Sequence, residues 1–349
     1  MEQKFIKSFF IRSGLLLIAV MAVIVLFDPF YQYHKPLPGL KSVLTDKEYQ
    51  CVGTLRNFDY DSLIVGSSVC ENYNNHWFDE GFSCQTIKAI RSYGATADLC
   101  YLLDIAYQNR DLKYVFYNID PSSLSADTAT TYELTGCPMY LYDTNYLNDY
   151  SYVLNKTVLL EKIPYMLAFS MKSGYDDGDS YNWAQWKYFS AELATGMYNR
   201  PSSVKPMQEP YYGKELDGNI VLLTEQVRNH PETTFIFFFP PYSMLWWDSA
   251  YRNGERDFYL YNERQAIAAL LAYDNVEIYY FQDEEEIITN LDNYMDIIHF
   301  SKDINQVICD KIIAGEGRLT QENYEARIRN MYDLSERIVN EYILAYYDK

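Results

Sequence analysis

Two short segments of the sequence carry residue types that together could perform acyl transfer. Gly66-Ser67-Ser68 offers two hydroxyl groups, either of which could attack a carbonyl carbon. Asp296 and His299 are three residues apart in NYMDIIHFSKD, a spacing that can bring the carboxylate to one imidazole nitrogen while the other faces outward. A serine needs such a base to take its proton, and the base needs a carboxylate to orient it.

Each segment also has an ordinary interpretation. Gly-Ser-Ser is common in surface loops, and a histidine near an acidic residue is typical of protein surfaces. The positions of the two segments favour the chemical interpretation. The serines follow the first apolar run of the chain after its N-terminal segment, and the Asp/His pair follows the last.

Composition limits the classes of function. The chain has 349 residues, 48% hydrophobic and 22% charged, as in globular proteins. Its net charge of −19 argues against nucleic acid as a partner, because phosphate binding needs a basic surface. The six cysteines have irregular spacing and no CxxC pair, so we predict no metal and no cofactor. Buried free thiols are expected, with one or two disulfides as the alternative.

The N-terminal segment has the composition of a membrane anchor. Lys4, Lys7 and Arg12 precede an uncharged apolar run, which predicts a cytoplasmic segment at 1–12 and a transmembrane helix at 13–30. Basic residues ahead of the span predict that the N-terminus lies inside and the rest of the chain outside. The alternatives are a cleaved signal peptide, which would need a small-x-small site, and a buried core helix.

Aromatic residues around the end of this helix predict a second feature. Phe27, Phe30, Tyr31 and Tyr33 have the amphipathic character of residues at a membrane interface. We expect them to form an aromatic belt at the headgroup level.

Apolar runs that alternate with helical patterns predict an α/β fold with a parallel sheet covered on both faces. The predicted strands are 62–65, 84–89, 114–119, 235–239 and 276–281, and the predicted helices are 95–108, 219–229 and 257–272. In such sheets, ligands bind beyond the carboxyl ends of the strands. The serines, the SYGAT loop and the YNIDP segment each follow a strand, so we expect them at one edge.

The domain prediction follows from these elements. Residues 31–57 form a connector, 58–315 an α/β domain, and 316–349 a single C-terminal helix. Within the domain, 122–216 is an insertion rich in Tyr, Asp and Asn, with helical stretches such as 183–194. A segment this long at a strand end is typical of a lid or binding wall, and a packed helical subdomain without a ligand role is the alternative.

The motifs resemble those of the SGNH, or GDSL-like, hydrolase superfamily. Gly66-Ser67-Ser68 resembles its first block, Gly-Asp-Ser, with Ser67 in the place of Asp, and Asp296 to His299 matches its final Asp-x-x-His. The third block, Gly-x-Asn-Asp, is absent. The resemblance covers about residues 61–310 and implies a three-layer fold with a flavodoxin-like sheet of about five strands.

The resemblance also implies residue roles. Ser68 becomes the nucleophile, with Ser67 as the alternative, His299 the general acid and base, and Asp296 the orienting carboxylate. The backbone N–H groups of Ser68 and Gly94 would hold the oxyanion, helped by Asn118, the residue nearest to the missing third block.

One N-terminal helix combined with these blocks resembles the membrane-anchored branch of the superfamily, which includes lipoteichoic acid D-alanyl transfer proteins and exported polysaccharide O-acetyl-transferring proteins. That implies an extracytoplasmic esterase or acyltransferase acting on a cell-envelope polymer or an acylated carrier, with a membrane-bound acyltransferase as a partner. The alternative is an inactive scaffold that binds polysaccharide. Flavin or nucleotide binding is a further alternative, but no GxGxxG or P-loop pattern follows the first strand.

Overall fold

A computed structural model describes residues 2–209 and 213–347. Within these residues five strands form one all-parallel sheet in the order β2-β1-β3-β4-β5, which is the flavodoxin-like order. Nearly every strand residue is buried, so helices cover both faces, as the sequence predicts for an α/β fold. The strands are β1 (Ser62–Gly66), β2 (Thr86–Ile90), β3 (Tyr114–Asn118), β4 (Thr234–Phe239) and β5 (Val276–Tyr280).

The helices lie between and around these strands. In chain order they are α1 (Glu2–Phe27), α2 (Lys47–Asn57), α3 (Asn75–Phe82), α4 (Thr96–Tyr107), α5 (Tyr150–Val153), α6 (Ile163–Ser170), α7 (Ala191–Met197), α8 (Lys214–Asn229), α9 (Met244–Arg252), α10 (Arg256–Leu270), α11 (Glu285–Ile288), α12 (Lys302–Ala314), α13 (Tyr324–Arg337) and α14 (Leu344–Tyr347).

The register of the sheet sets where the loops emerge. Gly66 is paired with Ile90, and Val65 with Tyr117, so β1, β2 and β3 end at one edge. All three carboxyl ends therefore present their loops on the same side of the sheet, which is where the predicted site residues lie.

The chain divides into two compact units. A helical unit comprises Met1–Asp59 and Tyr132–Ser180, and a sheet unit comprises Tyr60–Thr131 and Tyr181–Lys349. The predicted insertion at 122–216 is thus shared between the units. The stretch predicted as a connector, 31–57, contains α2 and is part of the helical unit.

In the helical unit, α1 is long and apolar enough to cross a membrane. Among the described residues it is the one helix with this character: within Gln3–Phe27, an 18-residue window has a mean hydropathy of 2.6. The helix begins before the predicted span and ends three residues earlier than predicted. It therefore includes Lys4, Lys7 and Arg12 at its N-terminal end.

The prediction of an aromatic belt is wrong for two of its four residues. Tyr31 is fully buried and Phe30 is nearly so. The ring of Phe30 stacks on Tyr152 at 5.0 Å between centroids, and the ring of Tyr31 meets Phe58 edge-on. Both rings pack against other residues of the helical unit. They are therefore part of its core and do not face lipid headgroups.

A sharp turn at Asp28 joins α1 to this core. Asp28 has a left-handed backbone with φ of +38°, and its buried carboxylate accepts hydrogen bonds from the backbone N–H groups of Gln32, Tyr33 and His34. The hydroxyl of Tyr152 also donates to it, at 2.7 Å. Four donors compensate the buried carboxylate, so the chain leaves α1 in a fixed conformation.

Other elements depart from the sequence expectations in detail. The helical pattern expected near 183–194 is a 3₁₀ turn at Ala184–Trp186 followed by α7. The C-terminal segment consists of α13, a π turn at Ile338–Tyr342 and α14, instead of one helix. All six cysteines are free and four are buried, which confirms the expectation of buried thiols.

A buried carboxyl in the sheet unit gives the protein a predicted pH dependence. Burial raises the pKa of Glu263 to about 8, although the Tyr280 hydroxyl donates to it at 2.7 Å. The folded protein holds this proton more tightly than the unfolded chain does. The free energy of unfolding should therefore decrease as the pH rises from about 5 to about 8.

Glu263→Gln should flatten this profile, because glutamine keeps the acceptor for Tyr280 and cannot ionise. Denaturant unfolding at several pH values measures it, with the exposed Glu80→Gln as the control. The same slope in both variants would contradict the assignment of a buried neutral carboxyl.

Candidate active site

The structure brings Ser68, His299 and Asp296 into one hydrogen-bonded chain. The Oγ of Ser68 lies 2.8 Å from Nε2 of His299, and Nδ1 of His299 lies 2.7 Å from Oδ2 of Asp296. The serine and the histidine are 231 residues apart in sequence. Their meeting follows from the parallel sheet, which places both loops at its carboxyl edge.

The direction of each hydrogen bond follows from the chemistry of the groups. An ionised carboxylate can only accept, so Nδ1 of His299 carries the proton in the neutral ring and Nε2 is an acceptor. The Ser68 hydroxyl then donates to Nε2. Partial burial raises the pKa of Asp296, but the hydrogen bond from His299 and two backbone N–H groups outweigh it and hold the pKa below its usual range.

A tight turn holds the carboxylate and the imidazole together. Oδ1 of Asp296 accepts from the backbone N–H groups of Ile298 and His299, both at 2.8 Å. The N–H of Met295 donates to the carbonyl of His299, and the hydroxyl of Ser243 donates to the carbonyl of Ile297 at 2.7 Å. These bonds satisfy one carboxylate oxygen with the backbone, which leaves the other for the imidazole.

The loop that carries Ser68 is equally constrained. β1 ends at Gly66, Ser67 has an extended backbone, and Ser68 begins a 3₁₀ turn that ends at Cys70. A Cβ atom at Gly66 would lie 2.4 Å from Sγ of Cys70 and 2.9 Å from Cβ of Asn118. Only glycine fits where the loop passes this close to β3.

Gly66→Ala should therefore distort the loop that carries Ser68. Both neighbours are buried, so we expect a loss of about 1–3 kcal/mol of stability and a lower rate of any reaction of Ser68. Gly196→Ala is the control, because the added methyl group there would meet no atom within 4 Å apart from its chain neighbours and the backbone of its own helix, α7. The thermal unfolding midpoints of the two variants would be measured. Equal midpoints would show that the loop at Gly66 can shift to accommodate the added methyl group.

Ser67 faces a different partner from Ser68. Its hydroxyl is within hydrogen-bonding reach of Asp120, whose Oδ1 also accepts from Nδ2 of Asn118 at 2.7 Å and from the hydroxyl of Tyr242 at 2.5 Å. Burial raises the pKa of Asp120, and these bonds offset part of that increase. Ser67 therefore belongs to a buried network beneath the loop, and Ser68 is the serine that meets the histidine.

The structure gives two of the expected oxyanion donors other partners. The N–H of Gly94 donates to the carbonyl of Arg91 at 2.9 Å, and the amide of Asn118 is buried and donates to Asp120. The N–H of Ser68 is at the start of its 3₁₀ turn, where donors have no acceptor within the helix. Of the three groups, it is the one available beside the Ser68 hydroxyl.

Trp183, from the predicted insertion, borders the triad. Its indole Nε1 donates to the carbonyl of Ser68 at 3.1 Å, and its ring meets the imidazole of His299 edge-on, with centroids 5.1 Å apart. The side chain of Asn72 accepts from the backbone N–H groups of Trp183 and Ala184. Trp183 therefore contacts both Ser68 and His299.

A cavity of about 210 Å³ opens beside the triad. Ser68 and His299 are in its wall, together with Asp120, Tyr242 and Tyr93. Tyr93 has a left-handed backbone with φ of +56° and is 93% exposed. A bulky residue in this conformation is strained, and such strain is typical of functional sites.

Sequence reasoning did not identify Asp120, Tyr242, Tyr93 or Trp183 as site residues. Asp120 could have been identified from its position in the sequence, because it follows β3 at the edge of the sheet where the serines lie. Asp120 and His299 are the cavity residues that could ligate a metal, and both already have hydrogen-bond partners in the protein.

No protein-family model matches the sequence, and no curated protein is significantly similar to it.

Proposed function

We propose that this protein is a membrane-anchored esterase or acyltransferase that works through a Ser68-His299-Asp296 triad. The observation that carries the proposal is the continuous chain of hydrogen bonds from the Ser68 hydroxyl to the Asp296 carboxylate. A hydroxyl that donates to a neutral imidazole, oriented by an ionised carboxylate, is the arrangement that activates a serine.

The reaction would proceed in two halves. Oγ of Ser68 attacks the carbonyl carbon of an ester while Nε2 of His299 takes the hydroxyl proton, and Asp296 stabilises the resulting imidazolium. The tetrahedral intermediate collapses when the leaving alcohol takes that proton, which leaves an acyl group on Ser68. Water or a second hydroxyl then attacks the acyl group while Nε2 of His299 takes its proton. The bond between the acyl carbon and Oγ of Ser68 breaks as His299 returns the proton to Oγ, which gives hydrolysis or transfer and restores the serine.

The small cavity favours a short acyl group. A volume of about 210 Å³ is below that of typical pockets for drug-sized ligands, so an acetyl or similarly short acyl group would fit and a long chain would not. The alcohol portion of the substrate would extend through the opening of the cavity, where it can be large.

The N-terminal helix supports an envelope substrate. With α1 in the cytoplasmic membrane and its basic end inside, the triad would work on the outer side. The resemblance to the membrane-anchored SGNH branch then favours an ester-linked group on a cell-envelope polymer, delivered by an acylated carrier or by a membrane-bound acyltransferase partner.

A second candidate function is a catalytically silent protein of the same fold that binds a surface polysaccharide. The observation in its favour is that the N–H of Gly94 and the amide of Asn118 are both engaged elsewhere. Loss of one oxyanion donor can lower a rate by about 100- to 1000-fold.

Trapping of an acyl-enzyme tests the proposal. The full chain in detergent would be incubated with nitrophenyl acetate, quenched in acid and weighed by intact mass spectrometry. We expect one added acetyl group, and faster turnover of the acetyl ester than of the octanoyl ester. Absence of both the adduct and turnover in the folded protein would favour the silent protein.

A further inference from the structure

The helical unit has an exposed apolar stripe on a continuous helix at 156–170. This helix begins at Lys156, passes through a π turn at Val158–Lys162 and ends as α6. Leu160, Pro164, Ala168 and, just beyond its end, Met171 are exposed, at spacings of four, four and three residues. Such spacing places them on one face of the helix.

Two residues of the stripe expose most of their side-chain surface. Leu160 is 68% exposed and Met171 is 70% exposed. The helix has three charged residues, Lys156, Glu161 and Lys162, and Lys162 is paired with Asp46. Between Leu160 and Ala168 the stripe itself has no charged residue.

The opposite face is held firmly in the core of the unit. Val158, Ile163 and Met166 are buried, and Oγ of Ser170 accepts a hydrogen bond from the backbone N–H of Lys41. Nζ of Lys162 is 2.7 Å from a carboxylate oxygen of Asp46. One face of this helix packs in the core and the opposite face is also apolar. Such a pattern is typical of a helix that is either fully buried or in contact with a membrane.

The position of the helix next to α1 favours contact with a membrane over burial within the protein. Both its π turn and the neighbouring α5 contact α1. Ile24, in the last turn of α1, is fully buried, whereas the residues of α1 before it are mostly exposed and apolar. The helix that carries the stripe thus lies beside α1, close to the end where α1 would leave the bilayer.

We propose that the 156–170 helix lies on the membrane surface at the C-terminal end of α1, with its apolar stripe among the lipid headgroups and upper acyl chains. The proposal rests on α1 lying in a bilayer and is independent of the triad. Phe30 and Tyr31, which were expected at the membrane interface, are in the core. In this proposal residues of the 156–170 helix occupy the interface instead.

Aromatic and basic residues at the margin of the stripe fit a bilayer. The rings of Tyr165 and Phe169 stack at 4.2 Å between centroids, and Nζ of Lys172 lies 5.4 Å from the centre of the Phe169 ring. Tyrosine is enriched at the headgroup level, and a lysine there extends its ammonium group toward water or a phosphate. An interfacial helix has this combination of groups.

Fluorescence quenching by lipid tests the proposal with the full chain. Leu160→Trp and Ala168→Trp would be reconstituted in phosphatidylcholine vesicles whose acyl chains are brominated near the headgroup end. The matched control is Val221→Trp, at a half-exposed valine on α8 in the sheet unit. The wild-type signal from the five natural tryptophans would be subtracted from each.

We expect the tryptophans at 160 and 168 to be quenched at least about twofold more strongly than the one at 221, with blue-shifted emission. Circular dichroism would establish that each variant is folded. Equal quenching at all three positions would overturn the proposal. Blue-shifted emission without quenching by brominated lipid would also overturn it, because it would mean that a protein, such as a second copy of this chain, covers the stripe.

Discussion

Ser68→Ala should reduce ester turnover at least about 1000-fold, because the substitution removes the one hydroxyl that donates to His299. The remaining activity would come from binding and from the oxyanion donor, neither of which forms an acyl-enzyme. Substrate affinity should change little, since the serine methylene and its backbone N–H remain in place. Initial rates with nitrophenyl acetate, over a range of concentrations, measure both quantities.

Ser67→Ala is the matched control, because it removes a neighbouring hydroxyl of the same size. Ser67 faces Asp120 in the buried network, so its loss should cost no more than about tenfold in rate, the value of one hydrogen bond. Larger loss in Ser67→Ala than in Ser68→Ala would reverse the roles of the two serines. Equal full activity in both variants would exclude the triad.

Asp296→Asn should lower the maximal rate by about 10,000-fold, as the matching change does in serine protease triads. Asparagine can still accept from the N–H groups of Ile298 and His299, so the turn should survive. Its amide nitrogen, however, would donate to Nδ1 of His299 and move the ring proton to Nε2. The imidazole could then no longer accept the proton of Ser68.

Comparing the losses of rate and of stability in Asp296→Asn distinguishes two roles for Asp296: setting the tautomer of His299, or only holding the turn in place. Thermal unfolding near neutral pH should change far less than the rate, and the Michaelis constant should stay within a few-fold. Asp303→Asn, at an exposed position in the first turn of α12, is the control for loss of a nearby negative charge. A variant Asp296→Asn that kept most of its activity would show that His299 does not depend on this carboxylate.

The sheet and the triad geometry were accessible from the sequence because each depends on a strong local pattern. Continuous apolar runs such as Phe235–Phe239 identify buried strands, and a parallel sheet necessarily brings the ends of β1 and β3 to one edge. The Asp-x-x-His spacing is itself a local turn, closed by backbone hydrogen bonds to Asp296. Local geometry of this kind can be predicted without knowledge of the rest of the fold.

The features that were missed depend on contacts between distant residues. The hydrogen bond from Trp183 spans 115 residues to the carbonyl of Ser68, and nothing local marks this tryptophan among five. Similarly, the aromatic composition near α1 suits a membrane interface and a protein core equally well. Phe30 is in the core because it stacks on Tyr152, more than 100 residues away, and Tyr31 is there because it packs against Phe58 at the C-terminal end of α2.

Whether the expected oxyanion donors have other hydrogen-bond partners could not be predicted, for a related reason. The position of Gly94 beside the cavity follows from β2, but whether its N–H is free depends on a three-residue turn that returns it to Arg91. For Asn118 the competing acceptor is Asp120, two residues along the chain. An N–H group can bind an oxyanion only if no nearby protein acceptor already takes its hydrogen bond. The spacing of residues in a motif does not show whether such an acceptor is present.

The most direct test of the central claim, that Ser68 is activated by His299, is covalent labelling with a fluorophosphonate followed by peptide mapping. The full chain in detergent should carry one adduct, located on Ser68, in the wild type and in Ser67→Ala. The adduct should be absent in Ser68→Ala and reduced at least about 100-fold in rate in His299→Ala. No adduct on the folded wild type, an adduct on Ser67, or labelling at an unchanged rate in His299→Ala would contradict the triad.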